Sequence, residues 1–398
     1  MAHPESTDRR PTPAVFVRLP ALRGRYATGA VQTVVVKIGS AVLAPGASPD
    51  GAVFDRLARE AARAARSGWR TALVSSGAIA CGLGPMGFAA PPRRVLDRQA
   101  AAAVGQQRLM ALWGEAFDAA GAGPVAQVLL TADDLEHRAR FLNARHTLDR
   151  LLRAGVTPIV NENDSVVYDE ITVGDNDRLA ALVAVALGAE ALIMLSSVDG
   201  VLDREGRVAP EIVDPRQAEP WLRPGRSATG VGGMRAKLDA AQTARRHGVR
   251  VWIAPGRREG VIAAVLNREA VGTRIDPIVA GPAARKAWIG ATVRPRGRLH
   301  IDGGAADALL RRGASLLPRG VVAVDGEFEQ GAVVEILGPG GEAVGRGLAS
   351  YTSAEIRRIA GRRTDEIEAI LGYAYTDEVV HRDDLAIARG ADERGAPQ

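Results

Sequence analysis

The chain is poor in cysteine, histidine and aromatic residues, and each shortage excludes a class of structure or site. Cys81 is the only cysteine among 398 residues, which excludes an intramolecular disulfide and a cysteine-based zinc site. The six histidines show no ligand-like spacing, so we assign no metal ligands directly. Aromatic residues make up only 4% of the chain, so the core has to consist mainly of Ala, Val and Leu.

The chain also lacks a long apolar run. The longest one, near residues 179–189, is too short to span a bilayer. Residues 1–26 are rich in Pro, Arg and polar residues and lack the apolar core of a signal peptide. We therefore expect a cytoplasmic protein without a membrane partner. We also expect a mobile N-terminal extension over residues 1–29 and a loose C-terminal tail over residues 384–398.

The charge balance is basic, with a net charge of +5 and a sequence pI of about 9.8. A basic balance favours anionic partners such as nucleotides or RNA. An arginine-rich composition spread over helix surfaces explains the same balance without any partner, and both interpretations stay open at this point.

Strand-like and helix-like patterns alternate from Val31 to about Ile278. The strand-like runs lie at residues 31–38, 69–75, 125–130, 156–160, 191–195 and 249–253, and one helical run covers residues 133–153. Strands separated by helices of this length predict an α/β fold with a mostly parallel sheet sandwiched by helices. We expect this domain at residues 30–283, a linker at 284–297, and a small β-rich domain at 298–383.

Ligands bind such sheets at the carboxyl ends of the strands, where Lys37, Ser76, Asn161 and Ser196 fall. The stretch of residues 160–182 adds six carboxylates and three asparagines between a buried strand and an apolar helix. These carboxylates are Glu162, Asp164, Asp169, Glu170, Asp175 and Asp177. Burying so many polar groups is costly unless something binds there. A solvated acidic loop is the alternative.

Two cationic segments match this acidic stretch. Lys37 ends the first strand just before Gly39 and Ser40, and a glycine-rich segment at residues 229–237 opens a helix and ends in Lys237. Backbone N–H groups at such a helix start suit polyphosphate. The segment is neither a Walker A loop nor a dinucleotide fingerprint, and a flexible glycine loop remains the alternative.

Together these segments suggest phosphoryl transfer from a nucleotide. The lysines would balance the phosphate charge, and the acidic stretch would hold magnesium and an amine-bearing substrate. A carboxylate acceptor, with a pKa near 4.3, would be ionised at neutral pH and would need no general base.

Several segments, in this order, resemble the amino acid kinase family: VVVKIGSAVL, SSGAIACG, FLNARHTL, PIVNENDSV, VGDNDRLAA and TGVGGMRAKLDAA. The C-terminal segments ASLLPRGV, RRIAGRRTDEIEAILGY and VVHRDD are similar to a PUA domain. The resemblance covers residues 31–381. It implies an enzyme that phosphorylates the side-chain carboxylate of L-glutamate with ATP and Mg²⁺ to give L-glutamyl 5-phosphate, the first step of proline biosynthesis. It also implies a homo-oligomer, dimeric or tetrameric, with proline as a feedback inhibitor.

The resemblance also implies roles for particular residues. Lys37 and Lys237 would stabilise the transferring phosphoryl group, and Asp177 would orient both lysines. Ser76, Asp164 and Asn176 would contact glutamate. The nucleotide would bind at Lys37, Ser196, Ser197, Val231, Gly232, Gly233, Met234, Arg235, Ala236 and Lys237.

One departure from the family pattern is Ser196-Ser197, where many members have Thr-Asp; Asp199 is a candidate replacement for the missing carboxylate. Two alternatives remain open. One is a kinase of the same family for another acceptor, such as aspartate, N-acetylglutamate or a nucleoside monophosphate. The other is an RNA-binding or RNA-modifying protein, suggested by the PUA-like domain and the pI.

Overall fold

The computed structural model describes residues 32–45, 48–167, 175–222, 233–278 and 295–388. These residues form one sheet of seven strands and a second sheet of five. The N-terminal extension at residues 1–29, most of the linker at 284–297 and the end of the chain from residue 389 lie outside this set. Among the described helices, none combines the length and the low polarity that crossing a bilayer requires.

The larger sheet contains the predicted strands. They are β1 (Gln32–Ile38), β2 (Trp69–Val74), β3 (Val125–Leu130), β4 (Thr157–Glu162), β5 (Ala191–Ser196), β6 (Arg250–Pro255) and the short β7 (Thr273–Ile275). Their order is β3-β4-β2-β1-β5-β6-β7, and every neighbouring pair is parallel except β6 and β7. The predicted mostly parallel sheet is confirmed.

Helices cover both faces of this sheet. They are α1 (Ser40–Leu43), α2 (Gly51–Arg66), α3 (Ala78–Leu83), α4 (Val95–Ala119), α5 (Ala132–Glu136), α6 (Arg138–Arg153), α7 (Asp175–Leu187), α8 (Gly233–Arg246) and α9 (Val261–Leu266). Side chains of β1 alternate between the faces: Val34 and Val36 pack with α2, α4 and α9, while Val35 packs with α6, α7 and α8. Both faces of the sheet are therefore buried, as a parallel sheet requires.

The helix predicted for residues 133–153 is two helices. A capping box between Thr131 and Asp134 starts α5 directly after β3. The chain then becomes extended at His137, with φ −86° and ψ 118°, before α6 begins. The prediction of one continuous helix was wrong because the break contains neither proline nor glycine and leaves no mark in the apolar spacing.

The strand order changes direction at β1. The chain passes from β1 to β2 on one side, and after β4 it crosses to β5 on the other side of β1. Such a switch point leaves a crevice at the carboxyl ends of the two strands, because their connecting segments run to opposite sides. A binding site is therefore expected beside the ends of β1 and β5.

The smaller sheet belongs to the C-terminal domain. Its elements are β8 (Gly297–Ile301), α10 (Gly303–Arg312), β9 (Val321–Asp325), β10 (Val333–Leu337), β11 (Ala343–Leu348), α11 (Ser353–Ile359), α12 (Ile367–Leu371) and β12 (Leu385–Ile387). The strand order is β12-β11-β10-β8-β9. Its separate core includes Leu299, Ile336 and Tyr351. The predicted small β-rich domain is confirmed as a fold class.

Residues 384–387, predicted as part of a loose C-terminal tail, are folded. Leu385–Ile387 pairs with β11 as an edge strand, and Asp384 is 2% exposed. Three residues are too few to show a period of two, so the strand depends on backbone pairing that the sequence pattern does not reveal.

Two glycines bring α3 and α4 into backbone contact. A β-carbon at Gly105 would lie 1.8 Å from the carbonyl oxygen of Ala78, and one at Gly82 would lie 1.9 Å from that of Ala101. No other residue permits this approach, because any side chain would overlap the facing backbone. The contact positions the next residue of α4, Gln106, against the edge of the sheet.

We expect Gly105→Ala to destabilise the fold, because the added methyl group forces the two helices apart. Overpacking of this kind costs about 1–3 kcal/mol. Gly114→Ala is the matched control on the same helix, since a β-carbon there meets nothing within 4 Å. It should stabilise by about 0.5–1 kcal/mol through helix propensity. Denaturant-induced unfolding measures both variants, and shifts of the same sign would contradict the backbone contact.

Candidate active site

Two lysines share one buried carboxylate at the carboxyl edge of the large sheet. Lys37 Nζ lies 2.7 Å from Asp177 Oδ1, and Lys237 Nζ lies 2.8 Å from Asp177 Oδ2. Asp177 is 1% exposed, and both lysines are buried as well. With both lysines protonated and Asp177 ionised, the three groups carry a net charge of +1 in a region shielded from water. Such a cluster attracts an anion strongly, because the surrounding dielectric is low.

Three different elements deliver these groups. Lys37 points to the same face of β1 as Val35, where α7 and α8 pack. Asp177 lies in the first turn of α7, where the helix dipole favours a negative charge. Lys237 lies in α8, and its Nζ also donates to the carbonyl oxygen of Gly233, 3.3 Å away. The fold therefore brings together Lys37, Asp177 and Lys237, the residues to which the family resemblance assigned catalytic roles.

Burial and an opposite charge nearby shift the pKa of Lys37 in opposite directions, and the same holds for Asp177. Burial lowers the pKa of Lys37, as does the charge of Lys237, while the charge of Asp177 raises it; the net direction is down. Burial alone would raise the pKa of Asp177, but the two ammonium groups hold it below its ordinary value. The carboxylate thus stays ionised and acts as a counterion between two cations.

Gly39 brings the backbone close to the ammonium group of Lys37. A β-carbon at Gly39 would lie 3.7 Å from Lys37 Nζ and 3.5 Å from the carbonyl oxygen of Leu195. The N–H of Gly39 donates to the same carbonyl oxygen over 3.3 Å. This bond joins the ends of β1 and β5 at the switch point, where the strand order leaves a crevice.

A second polar cluster adjoins the first through α7. Asn176 Nδ2 donates to Ser76 Oγ over 3.2 Å, and the N–H of Glu162 donates to Asn176 Oδ1 over 3.2 Å. Ser76 follows β2 and is 9% exposed. Asp164 lies in the turn after β4 and is half-buried. Ser76 and Asn176, both expected to contact substrate, are therefore adjacent.

Gln106 in α4 was not among the expected site residues. Asn161 Nδ2 donates to Gln106 Oε1 over 2.8 Å, and both side chains are buried. Within the described ranges, Asn161 Oδ1 and Gln106 Nε2 have no hydrogen-bond partner. A buried donor and acceptor left unpaired are costly, so the pair is suited to a ligand or water that supplies both functions. The only sequence signal is the polar pair Gln106-Gln107 after Gly105 in an otherwise small-residue helical stretch.

The expected nucleotide residues divide between two elements. Ser196 ends β5, and its carbonyl oxygen accepts from the N–H of Gly256 over 2.7 Å; Ser197 is exposed. The first turns of α8 contain Gly233, Met234, Arg235, Ala236 and Lys237. Asp199, the candidate replacement carboxylate, is exposed in the loop after β5.

Several expected residues lie outside the described set. They are Val231 and Gly232 of the glycine-rich segment, Asp169 and Glu170 of the acidic stretch, and the side chain of Asp175. Within the described set, no three His, Cys, Asp or Glu side chains cluster as a metal site. The residues present suit a polyphosphate more than a protein-bound metal, and Mg²⁺ commonly binds through phosphate oxygens and water.

A mostly parallel α/β sheet with two buried ammonium groups at the switch-point crevice suits phosphoryl transfer, which depends on positioning and charge stabilisation. Fold and site together therefore define the class of phosphotransferases.

Comparison with known proteins narrows this class. The model of the amino acid kinase family matches residues 32–255, and that of the PUA domain matches residues 297–371. The chain belongs to the amino acid kinase family. It is 44% identical to the glutamate 5-kinase of Pelobacter propionicus over 365 residues, which cover 90% of this chain and 98% of the relative. The glutamate 5-kinases of Geobacter sulfurreducens and Thermus thermophilus are each 45% identical, again over 90% of this chain and over 98% and 97% of the relatives.

We expect Asp177→Asn to destabilise the fold by about 3–5 kcal/mol near pH 7, because two buried ammonium groups lose their counterion. The loss also lowers the folded-state pKa of Lys37 further. The folded protein then binds fewer protons than the unfolded chain at alkaline pH, so the deficit should shrink as pH rises towards about 10. Denaturant-induced unfolding near pH 7 and near pH 10 measures the loss of stability of this variant relative to the wild type.

Glu136→Gln is the control for this variant. Glu136 pairs with Arg178 at the surface, and exposed pairs contribute about 0–1 kcal/mol. An equal and pH-independent loss in both variants would show that the buried charge of Asp177 is not a counterion.

Proposed function

We propose that this protein is an ATP-dependent kinase for the side-chain carboxylate of L-glutamate, with L-glutamyl 5-phosphate and ADP as products. In this reaction a carboxylate oxygen of glutamate forms a bond to the γ-phosphorus, and the bond from that phosphorus to the β-phosphate oxygen breaks. The product is the first intermediate of proline biosynthesis from glutamate. The names of the three relatives, and their coverage of nearly their whole length, support the choice of substrate.

The observation that carries the proposal is the Lys37–Asp177–Lys237 cluster. The phosphoryl group carries spread negative charge during transfer, and preorganised cations stabilise that charge without reorganising. Asp177 sets the direction of both ammonium groups and prevents their mutual repulsion. Its own role is positioning, since both of its oxygens face lysines.

The acceptor needs no proton removed. A glutamate side-chain carboxyl with a pKa near 4.3 is ionised at neutral pH and can attack directly. A site without a general base is consistent with this chemistry. Asp164 and Asn176, with Ser76, would hold the glutamate, and the carboxylate of Asp164 suits its ammonium group.

The nucleotide would lie between the end of β5 and the start of α8. Ser196 and Ser197 would contact it at the end of β5, and the α8 start would donate backbone N–H groups to its phosphates. Mg²⁺ bound to the phosphates would offset part of their charge. In this arrangement the exposed Asp199 partly substitutes for the carboxylate that many family members have at the position of Ser197.

Three partners suggested by the resemblance stay predictions: a homo-oligomeric assembly, proline as a feedback inhibitor, and RNA. Arginines on helices α10 and α11 of the C-terminal domain have intramolecular partners. Arg311 and Arg312 face Asp307, and Arg357 faces Glu327.

A cleft of about 420 Å³ in the C-terminal domain is lined by arginines as well as by acidic residues. One of these arginines, Arg298, lies 3.4 Å from Glu335. Because the cleft carries both signs of charge, it supports RNA binding less than the lysine cluster supports ATP binding.

The test is acyl-phosphate formation trapped with hydroxylamine, using purified protein with MgATP. L-glutamate, L-aspartate and N-acetyl-L-glutamate are compared in parallel. We expect product with L-glutamate alone. Product only with another acid would leave the phosphate site intact and overturn the acceptor, whereas no product from folded, ATP-binding protein would overturn the kinase proposal.

Substitutions should separate turnover from substrate binding. Lys37→Ala and Lys237→Ala should each lower kcat by about 10²–10³-fold, because each removes charge stabilisation from the transition state. Asp164→Ala should instead mainly raise the KM for glutamate. Arg246→Ala, which removes an exposed cation from the same helix as Lys237, is the control and should leave both constants unchanged. Unchanged kcat in a folded lysine variant would remove that lysine from the mechanism.

A further inference from the structure

Helix α6 contains a buried charge whose counterion comes from the C-terminal domain. Arg145 is 5% exposed and pairs with Asp384, which is 2% exposed, just before β12. Asp383 lies 3.7 Å from the same guanidinium and is half-exposed. A buried charge whose partner is removed is strongly unfavourable, so α6 and the C-terminal domain depend on each other.

Further contacts join the same helix to the same domain. Tyr375 Oη donates to Asn143 Oδ1 and lies 3.1 Å from His146 Nδ1. Leu142 packs in one apolar cluster with Val333 and Leu348.

At the start of α6 the two backbones come close. A β-carbon at Gly331, whose φ is +84°, would lie 3.2 Å from the amide nitrogen of Ala139. The interface therefore covers the first half of α6, from Arg138 to His146, and the buried ion pair lies near the end of this half.

Helix α6 is in turn packed against the helix that carries the site. Ala144 and Leu148 of α6 belong to the same core cluster as Leu179 and Val183 of α7. Helix α5, joined to α6 at His137, contacts α7 through the Glu136–Arg178 pair, one residue beyond Asp177. Helix α7 is thus packed mainly against α6, which the C-terminal domain contacts, and more weakly against α5, which precedes α6 in the chain.

We propose that Arg145 is a positioning residue: its ion pair with Asp384 lets the C-terminal domain hold α6, and through it the first turn of α7, in the geometry that binds the acceptor substrate. We expect loss of the Arg145–Asp384 ion pair to displace Asn176 more than Asp177. Asn176 is held by two hydrogen bonds of 3.2 Å, whereas Asp177 is held by two shorter ion pairs. This inference rests on the proposed function for its kinetic test only.

The test compares Asp384→Asn with Asp383→Asn in the full chain. The first removes the buried counterion of Arg145, and the second removes the neighbouring exposed carboxylate. We expect Asp384→Asn to raise the KM for glutamate roughly two- to thirtyfold, the usual range of coupling between sites, with kcat changed less than about twofold. Asp383→Asn should resemble the wild type.

Hydrogen exchange provides a readout that does not need activity. Asp384→Asn should speed exchange in α6 and also at the amides of α7 that bond back to its first turn, from Leu179 onwards, while exchange in α2, on the opposite face of the sheet, stays unchanged. Faster exchange confined to α6, with KM unchanged, would overturn the proposal and leave a purely structural interface. If the protein shows no glutamate kinase activity, hydrogen exchange in α7 still tests whether the C-terminal domain is coupled to this helix.

Tyr375→Phe keeps the proposal testable if Asp384→Asn does not fold. It removes the hydroxyl that contacts Asn143 and His146 but retains the ring that packs against His146 and Tyr351. We expect a smaller change in α7 exchange in the same direction. Wild-type exchange in α7 and wild-type KM, together with loosened α6 exchange, would again overturn the inference.

Discussion

The shared carboxylate of Asp177 is the constraint on which the site depends. Two ammonium groups cannot be buried side by side without a counterion, and a single carboxylate placed between them leaves an excess of one positive charge. In the proposed reaction, that excess of positive charge would stabilise the phosphoryl group during its transfer. Three parts of the chain must come together at this point: the end of β1, which lies next to β5, the start of α7 and the start of α8. The strand order provides that meeting, because the sheet changes direction at β1.

The surroundings of this cluster are built from unusually close contacts between small residues. Gly82 and Gly105 let α3 and α4 touch through their backbones, and this approach delivers Gln106 to Asn161. On the other face, the apolar contacts of α6 with α7 continue into the C-terminal domain through Arg145 and Asp384. The low aromatic content fits this design, because helices lined by alanine and glycine approach closely. The C-terminal domain therefore contacts a helix that covers one face of the large sheet.

Much of the fold and of the candidate site could be predicted from the sequence. The strands of the large sheet are short apolar or β-branched runs that alternate with helical patterns, and this alternation predicted the parallel sheet. Lys37, Asp177 and Lys237 were selected by their resemblance to family motifs, and the structure brings them together. Gln106 was not predicted, since a polar residue on an amphipathic helix usually faces solvent. The break at His137 and the strand at Leu385–Ile387 were also missed, because neither is marked by a breaker residue or by a long enough pattern.

The sequence by itself determined the class of fold, the family and the residue types available for phosphoryl transfer, because these follow from local periodicity and short motifs. Only the tertiary structure decided which charges share a partner. Lys37 and Asp177 are 140 positions apart in the chain, and Arg145 and Asp384 are 239 apart. Their pairing depends on strand order and helix packing, which local pattern does not encode. A carboxylate becomes a counterion, and an arginine becomes an interdomain link, only when burial removes water from around them.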